Sequence, residues 1–258
     1  MYLAADDLAG PADGLRTLVE MGQADCRLAN FSVRDGGIFR PIGQEDRHEA
    51  IKQLELSSAV PETIRVHYDT ARNAYLYAWH VYRFHVVAEH QALASLELAL
   101  RLAAFERGFI DSEGRPVARR VAAARASVKL PRPLALAQLL TLARREGLIR
   151  NEQFTRRTQW AEQLARVRRS IEEIQFMQRN NIAEMRLSDE PVVPTNEELE
   201  FDWLADLVER LPKLRNEYAH GTQMLHASVL RTFEVVSDLV NQLWPSRVVS
   251  GAHPTVEA

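Results

Sequence analysis

Arg215 and His220 stand five positions apart in the stretch Leu214-Arg215-Asn216-Glu217-Tyr218-Ala219-His220-Gly221. These are residue types suited to phosphate chemistry near neutrality. An imidazole with a pKa near 6.5 can take and return a proton, and a guanidinium holds two phosphate oxygens at once without losing its charge. Spacing alone carries little, because this arginine and histidine content makes an Arg followed by His after four to six residues common, and Arg83 with His90 supplies another. The first pair stands out by its surroundings: an apolar residue before the arginine, Asn216 directly after it, and Ala-His-Gly closing the run between two amphipathic segments. On one helix a five-residue step turns the two side chains about 140° apart at 3.6 residues per turn. Two such helices brought together, or a break at Gly221, would let them converge.

Each of these residues also has a plain structural reading. Arg215 would pair with an acid such as Glu209, and His220 would satisfy a buried carbonyl at a capped helix junction. His85, Glu89 and His90 sit in a long apolar segment and are expected to form a polar cluster that fixes helix pairing. Glu217 and His220 have the Glu-x-x-His spacing of di-iron bundles, but such centres need two of these motifs and two further glutamates. The other match, Glu45 and His48, falls in an irregular region, so no metal is expected. A single cysteine, Cys26, offers neither a disulfide nor paired thiolates and suits a reducing, cytoplasmic setting. No Gly-rich phosphate loop or Ser-His-Asp arrangement is present, and no cofactor is expected.

The elements that must position these residues read as helices. With 258 residues, 46% of them hydrophobic, the chain can bury a sizeable core as one domain with an extension. The formal charge of -3 excludes a globally basic nucleic-acid binder. No secretory leader and no run of roughly 18 apolar residues is found, so no membrane association is expected. Residues 1–60 read as an irregular arm of turns with one short strand around Ile38-Phe39-Arg40. Residues 61–245 read as a helical domain. Trp79, Tyr82, Val86, Leu93, Leu96 and Leu100 predict one or two long helices, and a leucine-rich helix follows Pro133 and ends at Gly147-Leu148-Ile149. An inserted arginine-rich helix carries Trp160, Leu164, Val167, Ile171, Ile174 and Met177 on one buried edge. Thr195 to Glu198 has capping-box spacing, Pro212 marks a junction, and a last helix runs to Trp244. Residues 246–258 read as a disordered tail.

Between Arg115 and Arg145 the chain holds eight basic residues and no acid. Arg115, Arg119, Arg120, Arg125, Lys129 and Arg132 are candidates for a phosphate-backbone track, with a solvated face neutralised by acids elsewhere as the alternative.

The Arg215–Gly221 stretch resembles the motif of the HEPN superfamily of small helical-bundle proteins. Ala92-Leu93-Ala94-Ser95-Leu96-Glu97-Leu98-Ala99-Leu100-Arg101 is similar to a helix with which that family commonly opens, and Gly147-Leu148-Ile149 to the end of its next apolar helix. The likeness spans Phe84 to about Trp244. It implies an all-α, HEPN-like bundle departing from the compact pattern in the arm and in the segment from Asn151 to Pro194. Many members are metal-independent endoribonucleases that act as homodimers, and others are inactive binding modules. The resemblance therefore implies RNA as substrate, Arg215 and His220 as catalytic pair with Asn216 orienting them, and products ending in 2′,3′-cyclic phosphate. By analogy it also implies a toxin or phage-defence effector with a cognate antitoxin or defence-system partner. The rival expectation is an inactive module that dimerises and binds nucleotide, nucleic acid or protein through the same junction.

Overall fold

Helices dominate the computed structural model, which describes residues 14–35, 38–117, 131–185, 191–219 and 229–245. In chain order these are β1 (Ser32–Asp35), β2 (Ile38–Pro41), α1 (Gln44–Lys52), α2 (Glu62–Tyr77), α3 (Phe84–Glu106), α4 (Leu136–Arg145), α5 (Arg157–Arg179), α6 (Asn196–Leu199), α7 (Trp203–Ala219) and α8 (Val229–Leu243). The described part is thus all-α apart from one antiparallel hairpin, β1 with β2. No helix among the described residues is long and apolar enough to cross a membrane.

The organising element is α3. It is apolar around most of its circumference, and such a helix must be covered on several sides. Ala88, Ala92, Leu93, Leu96, Ala99, Leu100 and Ala103 are buried, and α3 packs against α2, α4, α7 and α8. Its alanines let the neighbouring helices approach closely. At the far end Arg107 donates to the Leu243 carbonyl at 2.7 Å, closing the last turn of α8, where free carbonyls would otherwise be left. Gly147 lies at φ +68° just beyond α4, and Leu148 N donates to Ala143 O at 2.8 Å, the left-handed stop that the Gly-Leu-Ile signal foretold.

The expected long helical run after Pro61 is two helices, with Trp79 and Tyr82 in the turn between them. Three expectations change more. The arm holds the helix α1 and a full hairpin. A nine-residue helix that buries only Arg47 and Ile51 has too few apolar positions to show a period. What starts it is local: Asp46 accepts from Gly43 N at 2.8 Å and from Arg40, whose guanidinium holds the Asp46 carboxyl down to about 2. Second, Pro212 is not a junction, because α7 runs through it. A proline inside a helix removes one backbone bond at a cost of about 3 kcal/mol. Burial of Trp203, Leu204, Leu211 and Tyr218 along the face toward the core offsets that cost. Arg215 to Ala219 therefore lie in α7 and not in the last helix. Third, α5 is buried only at Trp160, Ala161 and Ala165, and Val167, Ile171 and Ile174 are about half exposed.

Aromatic stacking holds α5 to the body. The Arg231 guanidinium lies 3.8 Å over the Trp160 ring, which meets Trp203 edge-on at 5.3 Å, and burial pushes Arg231 down to about 10. Thr155 donates through N and Oγ1 to Asp238 at 3.0 and 2.8 Å just before α5 begins. The Thr195 capping box is formed, yet α6 is a single turn and the chain restarts helically only at Trp203.

In the segment before Ser32 one buried acid gathers several of the ties to the body. Asp25 is 1% exposed and accepts from Arg16 at 3.0 Å, from Arg27 at 2.9 Å and from Tyr82 N at 3.0 Å, while its own N–H donates to Trp79 O at 2.8 Å. Burial would raise its carboxyl, but the bonds from Arg27 and from backbone N–H groups outweigh burial and leave it below the ordinary carboxylate range. Asp25→Asn should cost about 2 kcal/mol, the worth of charge-assisted bonds, and release the segment before Ser32 to protease before the body melts. The Asp25 contribution is fully present above the ordinary carboxylate pKa of about 4 and is lost as pH falls below it through the lowered folded value. Urea titrations of wild type and variant at pH 7 and pH 3 should converge at the lower pH, and a gap undiminished at pH 3 would refute this account.

Candidate functional site

The C-terminal end of α7 is fixed by what its motif residues meet on α3. Tyr218 is buried, and its hydroxyl donates to Glu89 Oε2 at 2.6 Å. Thr232 from α8 donates to Glu89 Oε1 at 2.7 Å. Glu89 is 2% exposed, so its carboxyl group ties three helices together from inside the core. Burial, then the hydrogen bond to Glu89, push the Tyr218 phenol well above the ordinary tyrosine range, which keeps the hydroxyl a donor.

Three residues before Tyr218, almost one turn back, Arg215 reaches Glu97 Oε2 at 3.4 Å with its side chain 37% exposed. Glu97 also holds Arg101 at 2.8 Å. One carboxylate is thus shared by two guanidinium groups, and the Arg215 head stays within reach of solvent. Asn216 and Glu217 are exposed beside it. Glu209, the partner expected from the sequence, is bonded to Lys213 at 2.7 Å instead. His220 lies outside the described residues.

Of the residues expected to form a polar cluster that fixes helix pairing, His85 and Glu89 are buried and His90 is partly buried. Glu89 bonds across to α7 and α8, and His85 packs against the rings of Tyr82 and Tyr75 with centroids at 4.8 and 5.5 Å. Glu97, Tyr218 and Thr232 were not singled out by sequence reasoning. A lone acid in an apolar helix was the available signal for Glu89, and the Glu97–Arg101 step of four residues was the signal for an ion pair that a third charge could join.

Of the basic candidates, Arg115 pairs with Glu113 at 3.6 Å and Arg132 is exposed, and Arg119, Arg120, Arg125 and Lys129 lie outside the described residues. At the end of the same run Arg144 pairs with Asp202 at 2.6 Å and Arg145 with Glu146 at 2.6 Å. Acids next to the run and from α7's approach therefore neutralise its described ends. Such exposed pairs are worth little and exchange readily for a phosphate. Among the described residues no group of three His, Cys, Asp or Glu side chains is arranged to hold a metal. Cys26 is an exposed free thiol.

Comparison of the chain with protein-family models, with curated proteins and with solved structures finds no match in any of the three.

Tyr218→Phe removes the hydroxyl from Glu89 and leaves the ring in place. It should lower stability by about 1–3 kcal/mol in urea unfolding, the cost of leaving a buried acceptor short of a donor. A loss below 0.3 kcal/mol would show that the bond is not what holds α7 to α3.

Proposed function

We propose that the chain is a HEPN-like endoribonuclease that acts as a homodimer, needs no metal, and cleaves RNA with Arg215, Asn216 and His220. The observation that supports this reading most is the ion pair between Arg215 and Glu97. Two stretches far apart in sequence each resemble a piece of the same family, the Ala92–Arg101 helix and the Arg215–Gly221 motif. In the fold they touch through a charged residue of each.

The chemistry follows from the residues. RNA cleavage through its own 2′-hydroxyl needs a group to accept a proton, a group to return one to the leaving 5′-oxygen, and positive charge on the phosphorane oxygens. His220 supplies the proton transfer and Arg215 the charge. Because a five-residue step points the two apart on one helix, a second copy completes the site. RNA is the expected ligand, a cognate antitoxin or other defence-system protein the expected partner, and the cytoplasm the setting that a free exposed thiol fits.

The same ion pair favours a second reading. An arginine held by Glu97 is what a catalytically inactive HEPN-like module would show, dimerising and binding nucleotide, nucleic acid or protein at this junction.

Purified wild type, His220→Ala and Arg215→Ala should be incubated with total RNA in EDTA and the fragment ends analysed, with dimerisation followed by sedimentation. The expected outcome is fragments ending in 2′,3′-cyclic phosphate from wild type and a loss of rate of about 100-fold or more in each variant, with the dimer retained. Cleavage that persists in His220→Ala rejects the assignment, and no cleavage by wild type turns the conclusion to the binding module.

A further inference from the structure

Among the described residues one face of α5 is open. Trp160, Leu164, Val167, Ile171, Ile174 and Gln178 follow one another at alternating steps of four and three residues, which gathers them within an arc of about 80° on a helix. That alternation is the seam of a coiled coil. Its first part meets the body, where Trp160 is buried and Leu164 packs against the core. After Ala165 no residue of α5 is buried, and Val167, Ile171 and Ile174 are 55%, 49% and 51% exposed. Helix α6 packs along α5, but its tie, Glu198 with Arg168 at 2.9 Å, lies to one side of the seam. At the far end Ile174 lines a groove of about 580 Å³ with Met177, Gln178 and Ile182, where the chain leaves the helix at Asn181. The same apolar stripe that fastens α5 to the body thus runs on past it.

The charges beside the seam say what fits it. Arg166, Arg168 and Arg169 precede Ser170, and Glu172 and Glu173 follow Ile171. Within the chain Arg166 meets Glu162 at 3.7 Å and Arg168 meets Glu172 at 3.6 Å, exposed pairs one turn apart that exchange readily. A second copy of α5 laid antiparallel, with a two-fold axis near Ser170, sets Val167 against Ile171 and Leu164 against Ile174. It also brings the arginines of each copy level with the glutamates of the other. Arg168 comes nearest to its own mate, and each arrives with its charge already met by Glu198 and Glu172. A parallel pair would set like charges against each other and drive the two bodies, each held at Trp160, into the same space. Because the body holds the first turns of α5, pairing does not have to form the helix first.

We propose that α5 is a self-association surface, pairing with α5 of a second copy as a two-stranded antiparallel coiled coil about an axis near Ser170. The contact stands apart from the Arg215 junction and does not depend on the chain being a ribonuclease.

Thiol cross-linking of the full chain tests it, in a Cys26→Ser background because Cys26 is the one cysteine and is exposed. With a short bismaleimide Ser170→Cys should link to itself, and Phe176→Cys, on the opposite face, should not. Gln163 and Met177 flank the seam seven residues either side of Ser170, so mixed Gln163→Cys and Met177→Cys chains should link to each other while Gln163→Cys alone does not. Adding Ile171→Glu to the Ser170→Cys chain should reduce its cross-link at least tenfold at an unchanged melting temperature, since Ile171 is half exposed. Adding Arg215→Ala should leave the cross-link as it was, which separates this contact from a dimer formed at the junction. Self-linking of Gln163→Cys, equal linking of Phe176→Cys and Ser170→Cys, or an Ile171→Glu chain that links as before overturns the proposal. So does the absence of any Ser170→Cys link, the result expected if a helix of another protein or a segment of this chain lies on the face.

Discussion

Everything around the motif depends on a carboxyl group placed where water does not reach. Glu89 sits in the most apolar helix of the fold and is 2% exposed. A polar group there is tolerated only if donors come to it, and they come from different helices, Tyr218 on α7 and Thr232 on α8. Van der Waals packing alone would let α7 slide or rotate against α3 at modest cost, since leucine and alanine surfaces accept several registers. A buried acceptor does not, because a shift of an ångström or two leaves it short of a hydrogen bond. The register of α7 on α3 is fixed in this way at the turn that carries Arg215. The position of a surface arginine is thereby set by a contact in the core.

How much of this could be read beforehand differs from element to element, and the differences have physical causes. Long helices buried on one or more sides announce themselves because apolar residues must recur at three- and four-residue steps, and α3, α4 and α8 were legible for that reason. The Gly147 stop was legible because only glycine adopts φ +68° without strain. Helix α1 was not, since its nine residues bury two positions and its start rests on Asp46, which looks like any exposed acid in a list of residues. Pro212 misled because local propensity says break and the apolar face of α7 says continue. With Leu211 and Tyr218 buried on either side of it, tertiary packing outweighs one missing hydrogen bond. The candidate site was half legible. Residue types and spacing singled out Arg215, but its ion-pair partner comes from another helix, and no rule of sequence distance connects Arg215 to Glu97.

The arm follows the same logic from the other side of α3. Asp25 is a second buried carboxyl group, and unlike Glu89 it draws on charged donors, Arg16 and Arg27, as well as on backbone. It clamps the turn between α2 and α3, so the segment before Ser32 and the entry to the central helix form one unit. The two acids divide the work: Asp25 sets where α3 begins and Glu89 sets how α7 and α8 lie against it. Among the described residues Arg47, the buried cation of the arm, has no such partner, and this sets it apart from Arg231, whose charge faces Glu234 at 3.7 Å as well as the Trp160 ring.

The charge balance at the end of α7 bears on both readings of the motif. Glu97 is one negative group between two guanidinium groups, so the trio keeps a net positive charge, and Arg215 is its more loosely held member at 3.4 Å against 2.8 Å for Arg101. Had Arg215 been paired one-to-one in a short, buried bridge, binding a phosphate would first require breaking that bridge in a low-dielectric setting, at several kcal/mol. A shared pair whose arginine is 37% exposed requires less, because Arg101 compensates Glu97 while Arg215 turns outward. The geometry therefore holds the arginine in place without spending its charge. That property is equally useful to a catalytic group and to a phosphate-binding one, and the difference between those two roles rests on His220 alone.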